Sequence, residues 1–346
     1  MKIGLVGFAG SGKTTVFNAM TGLAVPVGFG GETRLGTVKV PDPRIDRLSR
    51  MFSPKKTIYA EITFLDIPGE HGAEKKGLSR KALQQIRDLD AVCLVVRDFV
   101  NPALEGEPNP AADLEAFHAE CVLADLEIVE RRIERMRKEK ADAREVAAFE
   151  LMKTTLEQEH PLRSLSVSDL NRELLRGYSL ITDRPLLVAL NRSEAEAAKP
   201  MPSALAARLT ELNAAGLVLS ASVESEIAAL APADQAAFLQ DLGLSEPALA
   251  RFIRTAYELL DLISFFTVGP DEVRAWTIRR GTRARQAAGR IHSDLERGFI
   301  RAEVMPYEVF VAHGSEAAVK EAGLFQIEGK DYVVADGDIL TIRFNV

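Results

Sequence analysis

Two hydrophobic periods alternate along the first part of the chain. Short apolar runs of strand length occur at Lys2–Val6, Ala91–Val96, Pro185–Leu190 and Leu217–Leu219, and Glu61–Asp66 alternates before running into Pro68-Gly69. Between them lie stretches of helical spacing, such as Thr14–Met20 and Leu205–Leu212. Strand–helix alternation of this kind predicts an α/β fold with a mostly parallel, doubly wound sheet.

Residues 111–178 break that rhythm. Leu126, Val129, Ile133 and Met136 fall at alternating spacings of three and four among charged residues, a polar segment Arg137–Asp142 follows, and Val146–Gln158 is helical again. The pattern predicts a helical hairpin, a short antiparallel coiled coil inserted into the sheet domain, with one long unpartnered helix as the alternative. One more amphipathic helix is expected from Glu246 to Leu262. The texture then changes to short expected strands at Val273–Ile278, Glu308–Ala312, Tyr332–Val334 and Ile339–Phe344, with a helix at Ala287–Leu295. This predicts a discontinuous first domain (1–110 and 180–262), a helical insertion (111–179) and a small α+β domain (263–346).

The length of 346 residues suits two or three domains, and 47% hydrophobic with 27% charged residues is an ordinary soluble composition. No apolar run approaches the roughly 20 residues of a membrane helix, and Gly7 and Gly10 arrive too early for a secretory leader. Cys93 and Cys121 are the only cysteines; both fit buried thiols in a reducing cytoplasm. The net charge of −7 opposes general nucleic-acid coating, so no DNA partner is expected. Eight arginines between Arg274 and Arg301 face only Asp294 and Glu296, a local basic stretch suited to RNA or an acidic partner, or to a solvated surface. His118 and His160 read as helix-surface residues, His292 as structural, and Trp276 as core with RNA stacking as the alternative. No Cys/His spacing supports a metal other than Mg²⁺.

Gly7-Phe8-Ala9-Gly10-Ser11-Gly12-Lys13-Thr14 fits the full Walker A pattern between a strand and a helix. Its glycines let backbone N–H groups turn around phosphate oxygens, with Thr15 following in the helix. Lys13 can reach the β- and γ-phosphates as the catalytic cation, and the Thr14 hydroxyl can ligate Mg²⁺. Asp66-Ile67-Pro68-Gly69 ends the next strand; Asp66 can hold Mg²⁺ and Gly69 N–H can bind the γ-phosphate. Asn191-Arg192-Ser193-Glu194 and Ser220-Ala221-Ser222 follow two later strands, where many GTPases carry Asn-Lys-x-Asp and Ser-Ala-Lys. A glutamate in place of aspartate displaces the guanine-reading carboxylate by about 1.5 Å, and misplaced partners at a base edge cost selectivity. ATP is therefore expected over GTP.

These motifs, with Val40-Pro41-Asp42-Pro43-Arg44-Ile45-Asp46, Ala124-Asp125-Leu126, Glu272–Thr277, Gln286–His292 and Gly298–Ala302, make the chain resemble the YchF/Obg-like ATPase family over its whole length. The resemblance implies a nucleotide domain interrupted by a coiled-coil arm, a C-terminal β-grasp (TGS) domain, ATP hydrolysis in preference to GTP, and association with the ribosome and ribosomal RNA. It also implies that Asn191 and Glu194 belong to the base site, with the backbone at Arg192 against adenine. The chain departs from the pattern in several places. Gly10-Ser11 stands where the family has Asn-Val, and Asn101–Pro108 lacks the family's loop histidine. Thr33 is the candidate first-switch ligand to Mg²⁺. Glu70, followed by His71, stands where the family has an apolar residue, and either could orient or deprotonate water. An Obg-type GTPase, a non-hydrolysing nucleotide scaffold and a small-molecule kinase remain the alternative readings.

Overall fold

By its internal contacts the chain divides into Met1–Val38 with Thr63–Ala256, and Lys39–Ile62 with Tyr257–Val346. The structure, a computed structural model, describes residues 1–27, 32–68, 78–166 and 177–345.

The first unit is built on strands β1 (Lys2–Val6), β2 (Arg34–Lys39), β4 (Glu61–Asp66), β5 (Ala91–Asp98), β6 (Leu186–Arg192) and β7 (Ala215–Leu219), in the order β2-β4-β1-β5-β6-β7. From β4 to β7 every neighbouring pair is parallel. All of β6 and the first six residues of β5 are buried, which is why they are continuous apolar runs rather than alternating ones. Val92, Leu94, Val96, Val188 and Leu190 form the core of this sheet with Leu205 and Leu209 of the helix Ser203–Glu211. The register places Leu5 beside Asp66, Val6 beside Leu94 and Arg97 beside Asn191. The C-terminal ends of β1, β4, β5 and β6 therefore share one edge, the position where open α/β sheets bind ligands.

The helical segment is α4 (Pro110–Glu139) and α5 (Ala143–Glu157). Asn109 accepts the Ala112 N–H and Pro110 occupies the first turn, so α4 starts where its sequence dictates. α4 runs through the first half of the polar segment, and the reversal uses Lys140 in the left-handed region and Asp142 capping α5. Val129, Ile133 and Met136 pack on Phe149, Met152 and Leu156, flanked by ion pairs such as Arg132–Glu145 at 3.1 Å. At its base the fully buried Asp125 accepts hydrogen bonds from Ile181 N, Thr182 N, Thr182 Oγ1 and Arg87 Nη1. Those four donors offset the desolvation that pushes the carboxyl up, and they account for the Ala124-Asp125-Leu126 motif.

His118 is 4% exposed, not a surface residue, with Nε2 hydrogen-bonded to Glu159 O at 2.7 Å. Burial lowers its pKa. Both cysteines are buried and free, and burial raises both thiols. Among the described residues no helix is long and apolar enough to cross a membrane.

The second unit carries a sheet ordered β11-β10-β12-β8-β9-β3, from β3 (Lys56–Ile58), β8 (Leu262–Thr267), β9 (Glu272–Arg279), β10 (Phe299–Pro306), β11 (Gln326–Glu328) and β12 (Asp338–Phe344). The expected boundary of 1–110 for the first domain differs here. Lys56–Ile58 pairs in parallel with Glu272–Arg274, so β3 belongs to the C-terminal sheet. Residues 39–62 group with that unit by their contacts, although the end of β2 and the start of β4 pair in the first sheet. α2 (Pro43–Phe52) explains the Val40–Asp46 motif. Asp42 caps α2, Pro43 starts it, and Arg44 reaches both Asp42 (2.8 Å) and Asp336 (2.9 Å).

Glu308–Ala312, expected as a strand, is the helix Tyr307–His313. Pro306 and a left-handed Gly314 bound it, and Phe310 buries on one face; tertiary burial overrides the β-preference of Val309-Phe310-Val311. Tyr332–Val334 contributes one bridge, Arg283–Val333, rather than a strand. The single helix expected at Ala287–Leu295 is two, Ala284–Ile291 and Ser293–Arg297, broken at an extended His292.

Candidate functional site

β1 ends at Val6, and the chain turns through Gly7–Gly12 into α1 (Lys13–Thr21). Gly10 (φ 74°) and Gly12 (φ 83°) lie in the left-handed region, which a side chain resists. A Cβ at Gly12 would also collide with the Asn191 amide. The turn therefore exists because of its glycines, and it leaves the first amides of α1 facing outward at a helix N-terminus.

Lys13 Nζ lies 3.0 Å from Asp66 Oδ1, and Thr14 Oγ1 donates to Asp66 Oδ2 at 3.0 Å. Lys13 and Asp66 are 10% and 6% exposed at their side chains, so this ion pair is largely withdrawn from water. Adjacent parallel strands β1 and β4 create the meeting, since Leu5 and Asp66 are register partners. One ammonium, one hydroxyl and one carboxylate at a glycine-formed cradle could serve a phosphate and a magnesium ion, a metal that takes few protein ligands and keeps phosphate and water oxygens. The described residues hold no cluster of three His, Cys, Asp or Glu side chains that would make an all-protein metal cage.

A cavity of about 390 Å³ opens here, lined by Gly7–Thr15 and Asp66 on one side. Phe99, Val100, Asn101 and Pro102, from the loop after β5, line it with Val27, Glu32 and Arg34. Sequence reasoning singled out none of these as site residues. The available signal was topological, because β5 ends on the same sheet edge as β1.

On the base side, Asn191 Nδ2 donates to Ser11 O (2.9 Å), and Asn191 Oδ1 accepts from Ala221 N (3.0 Å). Asn191, Ser220 and Ala221 are all buried. The Arg192 side chain bonds Asp98 Oδ2 (2.7 Å) and the carbonyls of Lys199 and Pro200 (both 3.0 Å), fixing the segment after β6. Glu194 starts an exposed 3₁₀ turn, Glu194–Glu196. Ser220 Oγ pairs with Ser222 Oγ at 3.0 Å.

Two expectations fare differently. Thr33 exchanges hydrogen bonds with Gln85 of α3 (Arg80–Arg87) at 2.7–3.0 Å, rather than joining Lys13, Thr14 and Asp66. Gly69, Glu70 and His71 lie outside the described residues. The basic stretch is partly neutralised within its own unit. Arg280 pairs with Asp261 (3.0 Å), Arg283 with Asp331 (2.6 Å) and Arg297 with Asp294, and Arg274 stacks on Trp276 at 4.0 Å. Trp276 is half-buried, its Nε1 donating to Thr267 Oγ1 at 3.0 Å.

The similarity to known proteins extends over nearly the whole chain. A family model described as "50S ribosome-binding GTPase" matches residues 2–140, and a YchF-GTPase C-terminal model, described as "Protein of unknown function (DUF933)", matches 262–345. The chain is 41% identical to the "Ribosome-binding ATPase YchF" of Bacillus subtilis, covering 99% of both chains. It is 34% identical to that of Mycoplasma genitalium, covering 100% of both. The structure of the Schizosaccharomyces pombe YchF GTPase superposes with a TM-score of 0.86 at 30% identity, over 99% of this chain and 97% of that one. With full-length relatives above 30% identity and the cradle in place, the chain belongs to the YchF family.

Proposed function

We propose that the protein is a magnesium-dependent ATP-hydrolysing switch of the cytoplasm that works on the ribosome, with GTP as the weaker nucleotide. The observation that carries this reading is the convergence of Lys13, Thr14 and Asp66 at the mouth of a cavity walled by Gly7–Thr15. In this reading Lys13 exchanges its Asp66 partner for phosphate oxygens, while Thr14 and Asp66 would hold the metal. Bound Mg²⁺ neutralises charge on the triphosphate and helps fix it in line for attack. The amides of Gly10–Thr15 cradle the phosphates, and Asn191 keeps Ser11 and Ala221 in place around the nucleoside.

Gly69 supplies a γ-phosphate contact in this proposal, and Glu70 or His71 orients the attacking water. Thr33 would have to leave Gln85 to reach the metal, a switch-like exchange that ATP binding drives. The helices Pro110–Glu139 and Ala143–Glu157 act as a coiled-coil arm, and the C-terminal unit acts as a TGS domain; together they carry the nucleotide state to the ribosome. The relatives' printed names support both parts, ATPase and ribosome binding.

Two measurements test the reading. Phosphate release from Mg·ATP should exceed that from Mg·GTP, and Glu70→Ala and His71→Ala should identify which side chain handles the water. Sedimentation with ribosomes should depend on whether a non-hydrolysable ATP analogue or ADP is bound. A protein that folds yet neither cleaves ATP nor pellets with ribosomes at low salt would overturn it.

A further inference from the structure

The P-loop has a second asparagine anchor in addition to Asn191. Asn101, in the loop between β5 and α4, donates from Nδ2 to Gly10 O at 3.2 Å, just as Asn191 Nδ2 donates to Ser11 O at 2.9 Å. Two consecutive P-loop carbonyls are thus each engaged by an amide donor from a different strand end. The Asn101 loop is itself fixed. Ala103 N donates to Asn101 Oδ1 (3.1 Å), Leu104 N to Asn101 O (3.0 Å) and Arg97 Nη1 to Phe99 O (3.3 Å). A Cβ at Gly10 would collide with Leu104 Cδ1 and lie 2.9 Å from Asn101 Nδ2, so the loop and the P-loop are in close contact.

We infer that Asn101 is a positioning residue for the nucleotide reaction, one that holds the Gly10 carbonyl away from the phosphates so that the amides following it face them. The inference rests on the function proposed above. A carbonyl oxygen turned into the cavity would oppose the triphosphate with its own partial negative charge, and a bond made before substrate arrives removes the cost of reorienting it. Asn101 lines the same cavity as Lys13 and Thr14, yet among the described residues its side-chain hydrogen bonds go to backbone atoms.

Asn101→Ala and Asn101→Asp, each in the full-length protein, test this. Aspartate keeps the oxygen that Ala103 N–H donates to but removes the donor to Gly10. Asn101→Ala should bind Mg·ATP and Mg·GTP on the order of tenfold more weakly than wild type, the worth of one hydrogen bond. Asn101→Asp, which also sets a carboxylate against the Gly10 oxygen and the triphosphate, should lose at least as much. The factor should be the same for both nucleotides, because the contact serves phosphate and not base, and melting without nucleotide should fall no further than in Leu104→Ala. Leu104→Ala, which loosens packing but leaves the amide, should lose much less. Binding within twofold of wild type, a loss confined to one nucleotide, an equal loss in Leu104→Ala, or melting of both Asn101 variants lowered further than in Leu104→Ala would each overturn the inference. If wild type itself binds neither nucleotide, the proposed function fails rather than this step.

Discussion

The phosphate side and the base side of the site differ in what faces the ligand. On the phosphate side, backbone amides are shaped by Gly10 and Gly12, and Lys13, Thr14 and Asp66 point at one another in a cavity of about 390 Å³. On the base side, the motif side chains serve the protein instead. Asn191 ties Ser11 to Ala221, Arg192 is committed to Asp98 and two carbonyls, and Glu194 is exposed. In the proposed function, phosphate recognition rests on the P-loop backbone with Lys13 and Thr14 and is independent of base identity. The same proposal leaves base selectivity to the exposed Glu194 carboxylate and to main-chain groups. A family can change nucleotide preference on that plan without disturbing its catalytic end.

The sharpest way to break the comparison is at Lys13. Lys13→Ala should reduce single-turnover ATP cleavage by about 10²–10³-fold, as read by quench-flow phosphate release, and should also lower melting because it leaves the Asp66 carboxylate without its cation. Asn191→Ala should come next. It strands the buried Ala221 N–H and frees Ser11 O, so it should cost about 2 kcal/mol of stability, measured as a lower urea midpoint, as well as nucleotide affinity. Glu194→Asp should move only the base side. The ATP/GTP affinity ratio should shift toward GTP by less than about tenfold while cleavage of bound ATP is unchanged; competition binding reads the ratio.

The smallest effect is a control outside both sides. Burial holds the folded-state pKa of His118 below its unfolded value, so the unfolded chain binds the extra proton. Stability from this group is intact above the ordinary histidine value of about 6.5 and declines as the pH falls through it toward the folded value. Melting temperature measured across that interval should show the decline, and His118→Gln should flatten it without changing nucleotide affinity.

Much of the phosphate side was legible because its chemistry needs fixed residue types at fixed spacing. Gly10, Gly12, Lys13 and Thr14 admit few substitutes, and the apolar runs of β1, β5 and β6 placed them on one sheet edge. Residues 39–62 were harder to place, since the three-residue strand β3 carries no period and its partner β9 lies more than two hundred residues away. His118 could have been recognised as buried, because it shares a helical face with Leu114, Cys121 and Asp125, all buried. Asn101 has no local signature. Its role depends on a turn that brings its amide back to Gly10, which only the three-dimensional path of the loop reveals.

The most direct test is a calorimetric titration of the folded, full-length protein with Mg·ATP and with Mg·GTP. One saturable site for ATP, a weaker one for GTP, and loss of both in Lys13→Ala are expected. An absence of saturation with either nucleotide, or saturation that survives removal of Lys13 unchanged, would contradict the assignment of Gly7–Thr15 as the seat of the triphosphate.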